Sequence, residues 1–135
     1  MLLVHPGGPF WTRRDAGVWS IPKGEYEADE APLIAAHREF TEELGTEPPA
    51  GQGLDLGEVR QKSGKYVHAW ALEGDLDATA ITSNTFTLEW PPRSGRTREF
   101  PEVDRAGWFT LGEAREKINP GQAPLLDRLE QGLSA

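Results

Sequence analysis

The spacing of apolar and charged residues between positions 24 and 46 constrains the fold of this chain more than any other feature of its sequence. Leu33, Ala36, Phe40 and Leu44 recur at intervals of three or four residues. This period is typical of an α-helix that turns one stripe of side chains towards the core. The segment therefore predicts a helix with these four residues on its buried face.

The ends of this helix carry local signals of their own. Asp29 is the expected N-cap, and Pro32 suits a first helical turn because its missing N–H has no partner there in any case. Gly45 stands where a left-handed residue ends a helix. We expect the helix to begin after Asp29 and to end at Gly45.

Three carboxylates lie close together beside the apolar stripe. Glu39, Glu42 and Glu43 occupy neighbouring positions on one flank, where like charges repel. A pair of glutamates alone is typical of a solvated helix face. The full spacing instead favours a divalent-cation site, because Mg²⁺ takes oxygen ligands and keeps several waters. Gly24 can let the backbone turn tightly and bring a carbonyl towards that cation.

The whole pattern resembles the Nudix box, GX5EX7REUXEEXGU, in which U is a bulky apolar residue. Thr46 is the one departure, standing where an apolar residue is usual. The resemblance implies a Mg²⁺- or Mn²⁺-dependent hydrolase of a nucleoside diphosphate linked to another group X. It also implies an α/β fold with a mixed β-sheet sandwiched between helices, formed here by one domain over residues 1–135. The matching positions are Gly24, Glu30, Arg38, Glu39, Phe40, Glu42, Glu43 and Gly45.

The resemblance also assigns roles within the box. It makes Glu42 and Glu43 the central metal ligands, with Glu39 either a third ligand or the base that activates water. It makes Arg38 the residue that pairs with acidic box residues and orients them. It adds the carbonyl of Gly24 to the metal shell.

Acidic residues outside the helix complete this expectation. Glu30 matches a structural position that ties the loop to the helix. Many relatives place an extra metal ligand where this chain has Glu102, which could equally be an exposed loop acid. Glu99 and Glu102 are also second candidates for the base, after Glu39.

Residues before the box bear on the substrate. The sequence Pro-Lys-Gly ending at Gly24 resembles the diadenosine-polyphosphate hydrolase and mRNA-decapping branches of the family. Lys23 could bind a phosphate as a point charge or remain a solvated loop lysine. Tyr26, inside the box loop, could contact the substrate. Dinucleoside polyphosphates are the first expected substrates, followed by nucleoside triphosphates and ADP-ribose-like compounds.

Arginines and tryptophans later in the chain suggest further contacts. Arg93, Arg96 and Arg98 lie together in one turn-rich segment. They could clamp distal phosphates bidentately or belong to a solvated loop. Trp11 and Trp90 border loops, where either ring could stack on a base or pack into the core.

Composition limits the partners. The chain of 135 residues has a net charge of −8 and a pI near 4.9, which argue against nonspecific binding to nucleic acid or anionic membranes. It has no cysteine, so thiolate chemistry and zinc–thiolate sites are excluded. No apolar run reaches membrane-spanning length. We expect a cytoplasmic protein acting on a small nucleotide-type molecule.

Apolar runs and turn residues predict the remaining elements. A capping-box pattern at Thr110 and Glu113 predicts a helix through Ile118, and a last amphipathic helix contains Leu125 to Leu133. The segment around Glu102 is expected to be a loop. Short strands are expected at Leu2–His5, Val18–Ile21, Leu54–Gln61, Lys65–Leu72, Thr85–Trp90 and Trp108-Phe109.

The family pattern also bears on the sheet edge and on an alternative function. Nudix domains usually have a strand before the position where this chain begins, so a sheet edge would be exposed here. A partner subunit could cover that edge, as in a homodimer. A non-catalytic nucleotide sensor is the alternative function, although such proteins typically lose the box carboxylates that this chain retains.

Overall fold

The computed structural model describes residues 1–22, 26 and 29–134. The chain contains both helices and strands, which confirms the α/β class. No helix in these residues is long and apolar enough to cross a membrane. The strands are β1 (Leu2–Pro6), β2 (Leu54–Arg60), β3 (Tyr66–Ala71), β4 (Thr85–Glu89), β5 (Thr97–Pro101) and β6 (Val103–Trp108), and the helices are α1 (Pro32–Leu44), α2 (Leu111–Lys117) and α3 (Ala123–Ser134).

The strands form three antiparallel pairs, β1 with β6, β2 with β3, and β4 with β5. The predicted strand Val18–Ile21 is reduced to single bridges. Ser20 exchanges backbone hydrogen bonds with Val4 at 2.8 and 2.9 Å, while Trp19 pairs with residues at the end of α2. The backbone bonds of this segment are thus divided between two neighbours, and no continuous strand forms.

The predicted hairpin and the predicted loop around Glu102 had different outcomes. The hairpin of β2 and β3 is confirmed, and its turn is closed by the N–H of Gln61, which donates to the carbonyl of Lys65 at 2.9 Å. The predicted loop around Glu102 is wrong, because β5 and β6 occupy it and Glu102 lies at the bend between them. These strands have little apolar alternation and are formed by pairing with β4 and β1.

The core consists of three apolar clusters, and α3 joins two of them through the adjacent buried residues Leu125 and Leu126. Helix α1 enters the third cluster near its C-terminal end. The clusters contain Leu3, Trp19, Ala114, Ile118 and Leu126 in the first, Val59, Val67, Ala69 and Leu125 in the second, and Val4, Leu44 and Val103 in the third.

The start of α1 differs from the prediction. Ala31 is the N-cap and makes no side-chain capping bond, so the expected cap at Asp29 is wrong, whereas Pro32 does stand in the first turn. Ala35 is fully buried, while Leu33 is 49% exposed. Leu33 borders a cavity of about 350 Å³ between α1 and β3.

The helices that follow β6 begin as predicted. Thr110 Oγ1 accepts a hydrogen bond from the N–H of Glu113 at 3.2 Å, and Glu113 Oε1 accepts one from the N–H of Thr110 at 3.0 Å. The bond from the Thr110 backbone lowers the pKa of Glu113. This capping box fixes the first turn of α2, and α3 contains the expected leucines.

Replacing Gly45 with alanine should destabilise the fold more than the same change at Gly95. Both residues have left-handed φ angles, 74° and 72°. A Cβ at Gly45 would lie 2.5 Å from the carbonyl oxygen of Thr82, whereas a Cβ at Gly95 would meet nothing within 4 Å. Urea unfolding should show a loss of about 1 kcal/mol for Gly95→Ala and a clearly larger loss for Gly45→Ala. Equal losses would show that the contact with Thr82 relaxes without cost.

Candidate active site

The C-terminal end of α1 is fastened to the segment that leads into β4. The backbone N–H of Asn84 donates to the carbonyl of Glu42 at 2.8 Å, and the N–H of Thr82 donates to the carbonyl of Leu44 at 3.2 Å. Carbonyls in the last turn of a helix lack partners within the helix. These two bonds satisfy them and fix the position of the carboxylates on the last two turns.

Arg38 lies at the centre of an ion-pair network on α1. Its guanidinium contacts both carboxylate oxygens of Glu30, at 3.1 and 3.3 Å. Its Nη1 also donates to Glu39 at 3.0 Å and to Glu42 at 3.5 Å. The bond to Glu30 is the largest of the effects that raise the pKa of Arg38. Arg38 therefore links the residues before the helix to two of its carboxylates.

The three helix carboxylates have different environments. Glu39 and Glu42 are half-buried and lie against Arg38, whereas Glu43 is buried, with 8% of its surface exposed. A buried carboxylate is costly unless positive charge, hydrogen bonds or a metal compensates it. Within the described residues, no three acidic or histidine side chains converge as a ready-made metal site.

The donor types on α1 nevertheless suit a hard divalent cation. Carboxylate oxygens are the ligands that Mg²⁺ prefers, and it binds through only one or two of them beside its waters. Arg38 supplies the positive charge that offsets the repulsion between Glu39 and Glu42 in this structure. A cation at the same carboxylates would meet the same electrostatic need.

Asn84 connects Glu102 to the end of α1. The N–H of Glu102 donates to the carbonyl of Asn84 at 2.9 Å, and the carbonyl of Glu102 accepts from Gly7 at 2.8 Å. With its amide nitrogen turned towards them, the Asn84 side chain donates to the Glu42 carbonyl and to Glu102 Oε2, each at 3.1 Å. Sequence reasoning missed Asn84, because an asparagine before a strand looks like an ordinary turn residue.

The other expected site residues are more weakly defined. Lys23 and Gly24 lie outside the described residues. Tyr26 is half-buried. Glu99 is exposed on β5, where its Oε1 accepts a hydrogen bond from the Thr85 hydroxyl at 3.4 Å. The structure thus brings Glu102 to α1 through Asn84 and leaves Glu99 on the surface of the β4–β5 pair.

Comparison with known proteins identifies the family of this chain. The model of the NUDIX domain matches residues 1–129. The chain therefore belongs to the Nudix family, and the resemblance seen in the box is confirmed.

Two relatives add detail. The chain is 32% identical over 121 residues to a protein named RNA pyrophosphohydrolase from Brucella anthropi, a match that covers 76% of this chain and 62% of that protein. It thus spans less than two thirds of this relative's length. The solution structure of the Escherichia coli ORF135 protein superposes with a TM-score of 0.61 at 25% identity, covering 99% of this chain and 81% of that one.

Substitution of Asn84 tests the connection between α1 and Glu102. Asn84→Ala should lower the free energy of unfolding by about 1 kcal/mol, the usual contribution of a hydrogen-bonding side chain. Asn84→Asp should cost more than alanine at pH 7, because it places a carboxylate beside Glu102. That repulsion raises the pKa of the new carboxyl above its unfolded value, so the additional loss should disappear as the pH falls to 4.

Urea unfolding of both variants at the two pH values makes the measurement. If Asn84→Asp were as stable as the parent at pH 7, the carboxylate of Glu102 would not lie against this side chain.

Proposed function

We propose that this protein hydrolyses a phosphoanhydride bond in a nucleoside diphosphate linked to another group, with Mg²⁺ or Mn²⁺ as cofactor. The observation that carries the proposal is the network of Arg38 with Glu30, Glu39 and Glu42 in a chain of the Nudix family. An arginine bound to several carboxylates holds their side chains in fixed orientations, as a metal-dependent reaction requires.

The residues proposed to hold the cation are Glu42 and Glu43, with Glu39 serving either as a third ligand or as the base. The carbonyl of Gly24 and the carboxylate of Glu102 are proposed as further ligands. When bound, the cation neutralises the non-bridging phosphate oxygens and lowers the pKa of a coordinated water. The contacts that support Glu102 in this role are those that Asn84 makes with it and with α1.

The protein must also accept a proton from the attacking water. As the water oxygen bonds to phosphorus, the bridging P–O bond breaks and a carboxylate within hydrogen-bond reach takes the proton. Glu39 is the first candidate, because its 3.0 Å ion pair with Arg38 fixes its orientation. Glu102 is the second candidate.

Dinucleoside polyphosphates and nucleoside triphosphates are the substrates proposed first. Lys23 is proposed to contact a phosphate and Tyr26 the nucleoside. The relative named RNA pyrophosphohydrolase adds RNA carrying a terminal phosphoanhydride to this set. We also propose that the protein is cytoplasmic and forms a homodimer. The molar mass in solution, measured by light scattering, tests the homodimer.

Glu42→Gln tests the reaction itself. Phosphate release should be measured with Mg²⁺ and with Mn²⁺ on diadenosine polyphosphates, nucleoside triphosphates, nucleotide sugars, ADP-ribose and 5′-triphosphorylated RNA. The parent should turn over one of these classes, and Glu42→Gln should lose about 100-fold or more, because even outer-shell partners of a metal are worth about 10- to 100-fold. Glu116→Gln, the same change on the exposed surface of α2, is the matched control.

The outcomes separate enzyme from sensor. Full turnover in Glu42→Gln would exclude this residue from the site. A folded parent that binds nucleotide yet hydrolyses no member of the panel would instead support the non-catalytic sensor.

The assignment of the base needs a second pair of variants. Glu39→Gln should lower kcat by about 10²- to 10⁴-fold, the usual contribution of a general base, and should flatten the acidic limb of the pH–rate profile. Glu102→Gln should leave that limb in place. The reverse pattern would assign the base to Glu102.

A further inference from the structure

The β4–β5 hairpin has one face composed of aromatic, apolar and arginine side chains. In this pair Phe86 lies opposite Phe100 and Leu88 opposite Arg98, and alternate residues of a strand share a face. Trp90 follows Leu88 at the next alternate position, and its backbone N–H donates to the carbonyl of Arg96 at 2.9 Å. We call this surface the aromatic–arginine face, defined by Phe86, Leu88, Trp90, Arg96, Arg98 and Phe100.

The acidic residues of the hairpin lie on its opposite face. Glu89 pairs with Thr97, and Glu99 pairs with Thr87, at the alternate positions of the two strands. The positive charges of the aromatic–arginine face are therefore separated from the hairpin's own carboxylates.

The loop after β1 extends this face with two more rings. Phe10 packs edge-on against Trp90, with 5.6 Å between ring centroids, yet 59% of its surface stays exposed. Trp11 is 36% exposed, and the guanidinium of Arg14 lies over it, 5.5 Å from the ring centroid. Gly8 lets the loop approach the ring of Phe86, which a Cβ would meet at 2.9 Å.

The arginines of the hairpin lack the carboxylate partners that Arg38 and Arg115 have. Arg93, Arg96 and Arg98 are exposed and form no ion pair in the described part of the structure, whereas Arg38 and Arg115 each hold two or more carboxylates. Acidic residues outnumber Lys and Arg by 22 to 14 in the whole chain. Guanidinium groups that remain unpaired despite this excess are available for an external anion.

We propose that the aromatic–arginine face, together with Phe10 and Trp11, binds single-stranded nucleic acid. The exposed rings of Phe10 and Trp11 can stack on bases, while Phe86, Trp90 and Phe100 are half-buried. Neighbouring guanidinium groups can contact the phosphates between the bases, and this combination binds single strands without reading their sequence. An acidic peptide could satisfy the arginines but offers no flat faces for the rings. The net charge of −8 does not prevent such binding, because salt screens charges more than about 8 Å away.

The position of the hairpin relates this surface to the candidate active site. Asn84 and Glu102 flank the hairpin. Asn84 hydrogen-bonds to the end of α1, and Glu102 is joined to that end through Asn84. The last residue pair of the hairpin, Glu89 with Thr97, lies four residues along β4 from Thr85, or about 14 Å. A nucleic-acid strand bound to this face would thus lie beyond the phosphates held at α1, as the body of a substrate whose terminus is cleaved. This last step rests on the proposed function.

Binding can be measured without turnover. A fluorescent 12-nucleotide single strand with a 5′-hydroxyl, titrated with the protein in the absence of divalent metal, should show an affinity that falls with salt. The double variant Arg96→Ala/Arg98→Ala should bind more weakly and reduce the slope of log affinity against log salt by about 1.4, or about 0.7 for each phosphate that the protein no longer neutralises. Arg60→Ala/Lys62→Ala removes the same charge from the β2–β3 hairpin and should leave the slope unchanged.

The rings are tested separately. Phe10→Ala/Trp11→Ala should weaken binding by about five-fold or more for each base that can no longer stack, with little change in the salt slope. Circular dichroism of each variant checks that the fold is retained, as expected for substitutions at exposed side chains.

Three outcomes would overturn the inference. The first is no binding of the oligonucleotide at low salt, and the second is an equal loss of affinity in both charge variants. The third is an unchanged affinity after the rings are removed, together with competition by inorganic polyphosphate as strong as that by unlabelled oligonucleotide. The last would identify a general polyanion site. Because the probe has no phosphoanhydride, binding with no turnover of any substrate would refute the proposed function alone. Turnover of small substrates without oligonucleotide binding would refute this inference alone.

Discussion

The candidate active site depends on how the repulsion among carboxylates on α1 is balanced. Glu39 and Glu42 lie within one turn of each other, and like charges at this spacing destabilise a helix. Arg38 offsets the repulsion by contacting both while it also holds Glu30, so one guanidinium organises the acidic flank. The same crowding suits the flank to the divalent cation proposed as cofactor.

A balanced set of charges is useful only if the helix that carries it is held in place. The end of α1 is secured from two directions, by Leu44 in the core and by backbone bonds from the segment before β4. Asn84 extends this attachment to Glu102, which sits at the bend between two strands. The candidate site therefore combines a helix, a strand entry and a strand bend, which are joined through the hydrogen bonds of Asn84.

Negative and positive charge are concentrated on two different surfaces of the molecule. The acidic flank of α1 is suited to a cation, whereas the hairpin of β4 and β5 presents Arg96 and Arg98 among aromatic rings. Both adjoin the short segments around Asn84 and Glu102. A substrate with a phosphoanhydride end and an extended nucleic-acid body would match this order of surfaces.

The sequence alone determined the elements whose signals are local. The helical period of α1, its end at Gly45 and the capping box at Thr110 each depend on residues a few positions apart, so they could be predicted together with the box carboxylates. Strands β5 and β6 could not be predicted. Strand β6 is formed by pairing with β1, about a hundred residues earlier in the chain, and β5 has little apolar alternation of its own and is formed by pairing with β4. The burial of Glu43, the bridging role of Asn84 and the separation of arginines from glutamates on the hairpin were decided only by tertiary structure, since each depends on which distant backbone lies alongside.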